Sequence, residues 1–344
     1  MEETNHEGQS KIHIIAEMAC SHEGDEQLAC RIIDAAGLAG ADSVQFQIWS
    51  LPDMVVPHHR DYPLLQKLEL SRDTWRRLAN HVRERYPSLQ IIACVYEQSS
   101  VDFCEKIGVD AYKLHSADLS NPDLIGHVAA TGRRIDLSVG ASTLDEIQSA
   151  LQHIRRVRPE ASQALNAWLM YGYQNFPTPV DAINLDFIRK LKIMFELPVG
   201  YQDHSAADSG AAFWLPAAAA GMDVDVLEKH LTHDRSLKGV DHEAALNPDE
   251  FVRFVAMVRE IERARGVGTP RDFSPEEVKY RKYAKKSLVA AEDLAAGKDI
   301  KAQDLVVRRA DALGLPPDQA ARLIGRVTKR AIAAYHLITE DDLV

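Results

Sequence analysis

The chain has 344 residues, 46% of them apolar and 26% charged, with a formal net charge of −11. That composition excludes disordered and fibrous classes, and the acidic balance argues against a nucleic-acid or anionic-membrane surface, which clustered Lys and Arg would serve. The length suits one large α/β barrel, typically about 250 residues, with a smaller companion.

The first stretch, MEETNHEGQSK, is polar and acidic, unlike a signal peptide. From residue 11 onward, β-rich runs alternate with helix-period segments. KIHIIAEMA is followed by EQLACRIIDAAGLAG, SVQFQIW by SRDTWRRLANHVRERY, and QIIACVY by SSVDFCEKIG. AYKLHS then precedes NPDLIGHVAATG, RIDLSVG precedes TLDEIQSALQHIRRV, and LNAWLMYG precedes DAINLDFIRKLKIMF. PVGYQDH leads into SAADSGAAFWLPAAAAG, and VDVLEKHLT into PDEFVRFVAMVREIERARG. Ser71, Ser120 or Asn121, and Thr143 are expected N-caps, with Gly40, Gly108, Gly132, Gly221 and Gly266 near helix ends. The longest apolar stretch, AAFWLPAAAAGM, is about a dozen residues and contains proline, too short to span a bilayer. Cys20, Cys30, Cys94 and Cys104 show no metal-ligand spacing and fit a reducing cytoplasm.

Eight strand-then-helix units whose strands are nearly continuous in apolar residues predict a closed (β/α)8 TIM barrel over residues 1–266. An open doubly wound sheet is the alternative, since periodicity gives element type but not closure. No GxGxxG follows the first strand, against a dinucleotide fold. Residues 267–284 mix Pro, Gly and charge and read as a linker. Residues 285–344, with short β-like runs and Gly turns, read as a second, small domain.

Active sites of such barrels sit where the strands end. The expected strand ends present Glu17, Gln45 and Gln47, Tyr96, Lys113 with His115, Ser116 and Asp118, Ser138, Tyr173 with Gln174, Asp203 with His204, and Glu228 with Lys229 and His230. His204 and His230 fall on neighbouring strands; each alone reads as an ordinary hydrogen-bonded histidine, but the pair suits a divalent ion such as Mn2+ with positions left for water and substrate. Asp203 is a candidate ligand or an orienting partner for an imidazole. Lys113 is open to three readings: a snorkelling stem, a cation facing phosphate or carboxylate, or a Schiff-base amine. Ser116 and Ser138 are weaker candidates as phosphate donors.

In order, the motifs IAEMACSHEGD, ADSVQFQ, KLHSADL, LSVGAST, GYQDHS, LEKHLT and GVDHEAAL resemble the sialic acid synthases, phosphoenolpyruvate-condensing enzymes that make nonulosonic acids. The tail resembles that family's antifreeze-like, SAF-type domain. The resemblance implies condensation of phosphoenolpyruvate with the open-chain aldehyde of a sugar such as an N-acylated hexosamine, with release of phosphate. It implies a divalent ion, Mn2+ or Mg2+, on His204 and His230. It places Lys113 and Ser138 toward phosphoenolpyruvate, and makes Glu17, Lys113, Asp118 and Glu228 the expected catalytic residues. Glu17, Gln47, Asp118 and Glu228 are expected to orient sugar, metal or water, and Gln45, Ser116, Gln174, Asp203, Lys229 and Asp241 are expected among the substrate-binding residues. Arg309 is expected to reach a partner subunit's barrel in a homodimer with exchanged tails.

Most departures from the family pattern cluster on the phosphoenolpyruvate side, while the histidine pair and Lys113 persist. Gln45 replaces a lysine, Cys94 a threonine, Gln202 a serine, and Gln174 and Phe176 an Asn and a Tyr. Ser21-His22-Glu23-Gly24-Asp25 replaces Asn-His-Asn-Gly-Asp, and Arg309-Ala310-Asp311 replaces Arg-Pro-Gly. The competing expectations are a carbon–carbon lyase using pyruvate or another donor, and a non-catalytic sugar-binding paralogue.

Overall fold

The structure, a computed structural model, describes residues 4–5, 9–158 and 165–344. Residues 1–3 and 6–8 of the polar N-terminal stretch thus lie outside the described residues. The chain divides into two units, Met1–Val267 and Gly268–Val344.

In the first unit, β1 (His13–Glu17), β2 (Ser43–Ile48), β3 (Gln90–Val95), β4 (Ala111–Leu114), β5 (Arg134–Ser138), β6 (Ala167–Tyr171), β7 (Val199–Asp203) and β8 (Val226–His230) close into a barrel. Closure is explicit: β8 pairs in parallel with β1, from Val226 opposite His13 to His230 opposite Glu17. The open-sheet alternative is excluded. Helices α1 (Glu26–Ala39), α2 (Arg72–Arg85), α3 (Gln98–Ile107), α4 (Pro122–Ala130), α5 (Leu144–Val157), α6 (Asp186–Phe195), α7 (Ala211–Gly221) and α8 (Pro248–Arg265) follow the strands in turn.

Local chemistry sets the boundaries. Ser71 caps α2 by accepting from the Thr74 amide, Asn121 caps α4 through the Leu124 amide, and Thr143 and Glu146 form a reciprocal capping box on α5. Gly40 and Gly108 close α1 and α3 in the left-handed conformation, where a Cβ would be strained. Among the described residues no helix is long and apolar enough to cross a membrane.

The pleat sends alternate strand residues to opposite faces. Ile14, Phe46, Ile91, Tyr112, Ile135, Leu169, Tyr201 and Leu227 join the core shared with the helices. Ile15, Ile92, Ala111, Met170 and Val226 form a separate cluster inside the barrel and plug it below the mouth. The interior is therefore packed, and polar side chains one step further along most of the strands stand on an apolar floor.

The second unit holds α9 (Pro275–Ala284) and an antiparallel pair, β9 (Lys286–Ala290) with β10 (Leu305–Arg309). Leu288, Leu294, Ile300, Leu323, Ile332 and Leu343 are among its buried core residues. The stretch expected as a linker carries α9, opened by a capping box between Ser274 and Glu277.

Candidate active site

Above the apolar floor, the inward positions of the strands carry Glu17, Gln47, Cys94, Lys113, Ser138, Gln202 and Glu228, and further out lie Tyr96, His115, Gln174, His204 and His230. Closure brings Gln47, Glu17, Lys113, Glu228, Gln202 and Ser138 into one chain of hydrogen bonds and ion pairs. Lys113 Nζ donates to both oxygens of Glu228, at 2.6 and 2.8 Å, and lies 3.7 Å from Glu17 Oε2. Glu228 Oε1 also accepts from Gln202 Nε2 at 3.0 Å, and Gln202 Oε1 accepts from Ser138 Oγ at 3.0 Å. Gln174 Nε2 reaches Ser138 Oγ at 3.5 Å. On the other side Glu17 Oε1 accepts from the Ala19 amide at 2.6 Å and from Gln47 Nε2 at 3.3 Å, and the Tyr96 hydroxyl donates to Gln47 Oε1 at 3.2 Å.

The charges follow from these contacts. Burial favours loss of the Lys113 proton, but the neighbouring charges, Glu228 first among them, outweigh it and hold the ammonium above its ordinary pKa. A Schiff-base amine must be free base, so Lys113 is placed as a cation. Burial pushes Glu17 up to about 8, against the opposing pull of Lys113, which makes it largely a neutral, proton-bearing acid near pH 7.

His204 and His230 meet: their ring centroids are 5.2 Å apart at an interplanar angle of 78°. Burial lowers the pKa of both, most strongly at His230, so both imidazoles are neutral, the form that binds metal. His204 Nδ1 lies 2.8 Å from the Tyr173 carbonyl oxygen, to which it must donate, leaving Nε2 as the free acceptor. His230 Nδ1 is buried with no hydrogen-bond partner. Among the described residues no group of three or more His, Cys, Asp or Glu side chains is arranged to hold an ion. A divalent ion held at the pair would take two ligands from the described residues and complete its shell with water and substrate oxygens. The Phe176 ring lies 4.2 Å from His204 and 5.5 Å from His230, an apolar neighbour to both imidazoles.

Two expected site residues do not reach the mouth. Asp203 and Lys229 occupy the opposite strand face from their neighbours His204 and His230, alongside the core residues Tyr201 and Leu227. Lys229 Nζ pairs with Asp203 Oδ2 at 2.7 Å; Tyr201 and Ser205 supply further hydrogen bonds to the carboxylate. Both are fully buried. Asp203 is a structural partner for Lys229 in the barrel wall rather than a metal ligand or a second partner of His204.

Gln45 is inward and fully buried one step below Gln47, and both of its amide atoms lack a hydrogen-bond partner. Ser116 and Asp118 lie on a short turn after β4, half-buried, with Asp118 Oδ1 accepting from Asn121 Nδ2 at 3.1 Å. Burial raises the Asp118 carboxyl. Asp241, in the loop after β8, is pushed up to about 6 by burial and then by Glu243 and Glu23. Arg309 ends β10 in the second unit, exposed. Phe176 and Gln202 stand out in the sequence only as substitutions, yet one lies against both imidazoles, tilted to His204 and edge-on to His230, and the other bridges Ser138 to Glu228. The two-residue period of β7, which puts Gln202 on the face of His204, was the available signal. Glu23 and His242 were also missed as contacts between loops.

Comparison with known proteins places this geometry. A closed parallel barrel whose inward polar residues converge on one mouth defines an enzyme-type TIM barrel. The chain belongs to the NeuB family, whose model matches residues 32–270, and residues 285–344 match the SAF domain. It is 29% identical over 344 aligned residues to an N,N'-diacetyllegionaminic acid synthase of Legionella pneumophila, covering 95% of this chain and 93% of that one. It is 28% identical over 333 residues to human N-acetylneuraminate-9-phosphate synthase, covering 93% and 89%. A solved N-acetylneuraminic acid (sialic acid) synthetase from Leptospira borgpetersenii superposes with a TM-score of 0.71 at 26% identity, covering 82% of this chain and 96% of that one.

Proposed function

We propose that this chain condenses phosphoenolpyruvate with the open-chain aldehyde of an N-acylated amino sugar, giving a 2-keto-3-deoxy nonulosonic-type acid and inorganic phosphate. At the level of the family, the chain is a sialic acid synthase-like, carbon–carbon bond-forming enzyme. The observation that carries the finer reading is the polar chain centred on Lys113, bracketed by Glu228 and Glu17 and lying beneath two neutral imidazoles.

The reaction joins C3 of the enol to the aldehyde carbon; the aldehyde oxygen gains a proton, water is consumed and phosphate leaves. Lys113, kept cationic chiefly by Glu228, attracts the donor's anionic groups. Ser138, Gln202 and Gln174 offer neutral O–H and N–H donors along the same polar chain, and Gln45 offers another, one step deeper in the barrel. Glu17, kept protonated by burial, is the source of the proton for the developing alkoxide. Gln47, Ser116, Asp118 and Asp241 are assigned to the sugar. A divalent ion, Mn2+ or Mg2+, bound by His204 and His230 would polarise the carbonyl and neutralise its developing charge. We further propose a cytoplasmic homodimer with exchanged tails, in which Arg309 serves the partner subunit's barrel.

The neutral donor side supports a second reading. With Gln45 where the family pattern has lysine, one charged hydrogen bond to phosphate is absent, worth about 1.5–3 kcal/mol, or roughly ten- to more than a hundredfold in binding. A lyase using pyruvate has less need of that cation. Incubating the protein with Mn2+, phosphoenolpyruvate and a panel of N-acylated aldoses separates the two. The synthase reading expects phosphate and 2-keto-3-deoxy acid together; keto-acid formation from pyruvate without phosphate supports the lyase.

A further inference from the structure

The loops that follow β1 and β8 concentrate backbone strain at the mouth. Ala19, Glu23, Lys238 and Asp241 have φ of 45°, 53°, 53° and 62°. Residues with a Cβ stay in that region only where surrounding contacts over-determine it. Here the contacts join the two loops. Glu23 Oε1 accepts from the Val240 amide at 2.9 Å and lies 3.9 Å from His242 Nε2. The same oxygen packs so closely on Gly239 that a Cβ there would collide with it. His242 is buried, and its Nε2 is also 2.9 Å from Thr232 Oγ1. Glu23 thus holds the residue before Asp241 and stands against the residue after it.

We infer that Glu23 is a positioning residue, clamping the 239–242 turn so that the strained Asp241 presents its carboxylate at the mouth. This rests on the proposed reading, in which Asp241 meets the acceptor sugar. Asn in this position, the residue of the family pattern, is one methylene shorter and uncharged. The longer carboxylate supplies a charge-assisted bond to the Val240 amide and places a like charge near Asp241. Glu23 and Glu243, with the neighbouring Cys20 thiol, are the titratable groups that interact with Asp241. Both carboxylates raise its pKa, after burial.

The test is a cycle of Glu23→Ala and Asp241→Asn, with Glu23→Gln as the conservative variant. Glu23→Ala is expected to raise the acceptor KM about tenfold, the loss of one such bond, with kcat and the phosphoenolpyruvate KM unchanged. In the Asp241→Asn background it should add nothing. Glu23→Gln should restore the acceptor KM, because its amide oxygen still accepts from Val240. It should also move the acid limb of acceptor kcat/KM to lower pH, because a like charge beside Asp241 is gone. Equal effects of Glu23→Ala in both backgrounds, or a fall in kcat alone, would overturn the assignment. Amide hydrogen exchange over 239–243 reads the clamp without turnover: faster exchange in Glu23→Ala, restored in Glu23→Gln, is expected, and unchanged exchange contradicts it. If the wild-type protein releases no phosphate with any acceptor while this exchange pattern holds, the function fails and the clamp stands.

Discussion

Lys113 and Glu228 form a two-oxygen ion pair inside the barrel, on strands β4 and β8 that lie across it from one another, with Nζ 2.6 and 2.8 Å from the carboxylate oxygens. Both side chains are buried. Breaking such a pair leaves an uncompensated charge away from water, a loss of about 3–5 kcal/mol, whereas replacing both partners costs far less. Lys113→Met and Glu228→Gln should each lower unfolding stability by that order, and the double variant should recover part of it. Urea denaturation of the four proteins checks this; additive losses would show that the two side chains act independently.

Asp203 makes the same prediction for stability and the opposite one for the ion. Its carboxylate pairs with fully buried Lys229 in the barrel wall, so Asp203→Asn should destabilise by about 3 kcal/mol. Ion affinity should be unchanged, since Asp203 faces away from the imidazoles. His204→Ala and His230→Ala should do the reverse. Calorimetric titration with Mn2+, alongside denaturation, separates them, and loss of the ion in Asp203→Asn would return that residue to the site.

The raised pKa of Glu17 predicts a pH dependence with a defined sign. Its folded value, about 8, stands above the ordinary 4.5. Between these values the unfolded chain releases the proton and the folded one keeps it. The Glu17 contribution to stability is therefore complete below about 4.5 and is lost as pH rises toward about 8. Glu17→Gln, which cannot ionise, should flatten the fall in stability over that window. Denaturation midpoints measured from pH 5 to pH 8 test it; an unchanged slope in the variant would show that Glu17 is ionised throughout.

Gln45 offers a gain-of-function test. Its two amide atoms are buried without partners in the barrel interior, where a lysine would add a cation to the donor side. Gln45→Lys should lower the KM for phosphoenolpyruvate about tenfold or more, with the acceptor KM unchanged. A variant that folds normally and binds phosphoenolpyruvate no better would mean that the phosphate lies elsewhere.

The eight strands were legible because each parallel strand, buried on both faces, reads as a continuous apolar run, whereas closure was not, since an apolar run reads the same in a barrel and in an open sheet. The same property hid the orientation of the strand ends. Without polar–apolar alternation, Asp203 and His204 both looked like mouth residues, as did Lys229 and His230, although neighbours on a strand must face opposite ways. Counting by twos from Val226, through Glu228 to His230, was the available correction. The helix Pro275–Ala284 was legible as Ser274 followed three residues later by Glu277, but the surrounding Pro, Gly and charge obscured it. The contacts of Glu23 with Val240 and His242 span more than 200 residues of sequence, and no local pattern announces them.

The most direct measurement is the yield of 2-keto-3-deoxy acid per inorganic phosphate when wild-type protein, Mn2+, phosphoenolpyruvate and an N-acylated amino sugar are combined, repeated with His204→Ala and His230→Ala. Equal amounts of keto acid and phosphate from the wild type, and neither from the histidine variants, is the predicted result. Keto acid without phosphate, or full turnover in both histidine variants, would contradict a condensing synthase working through the paired imidazoles.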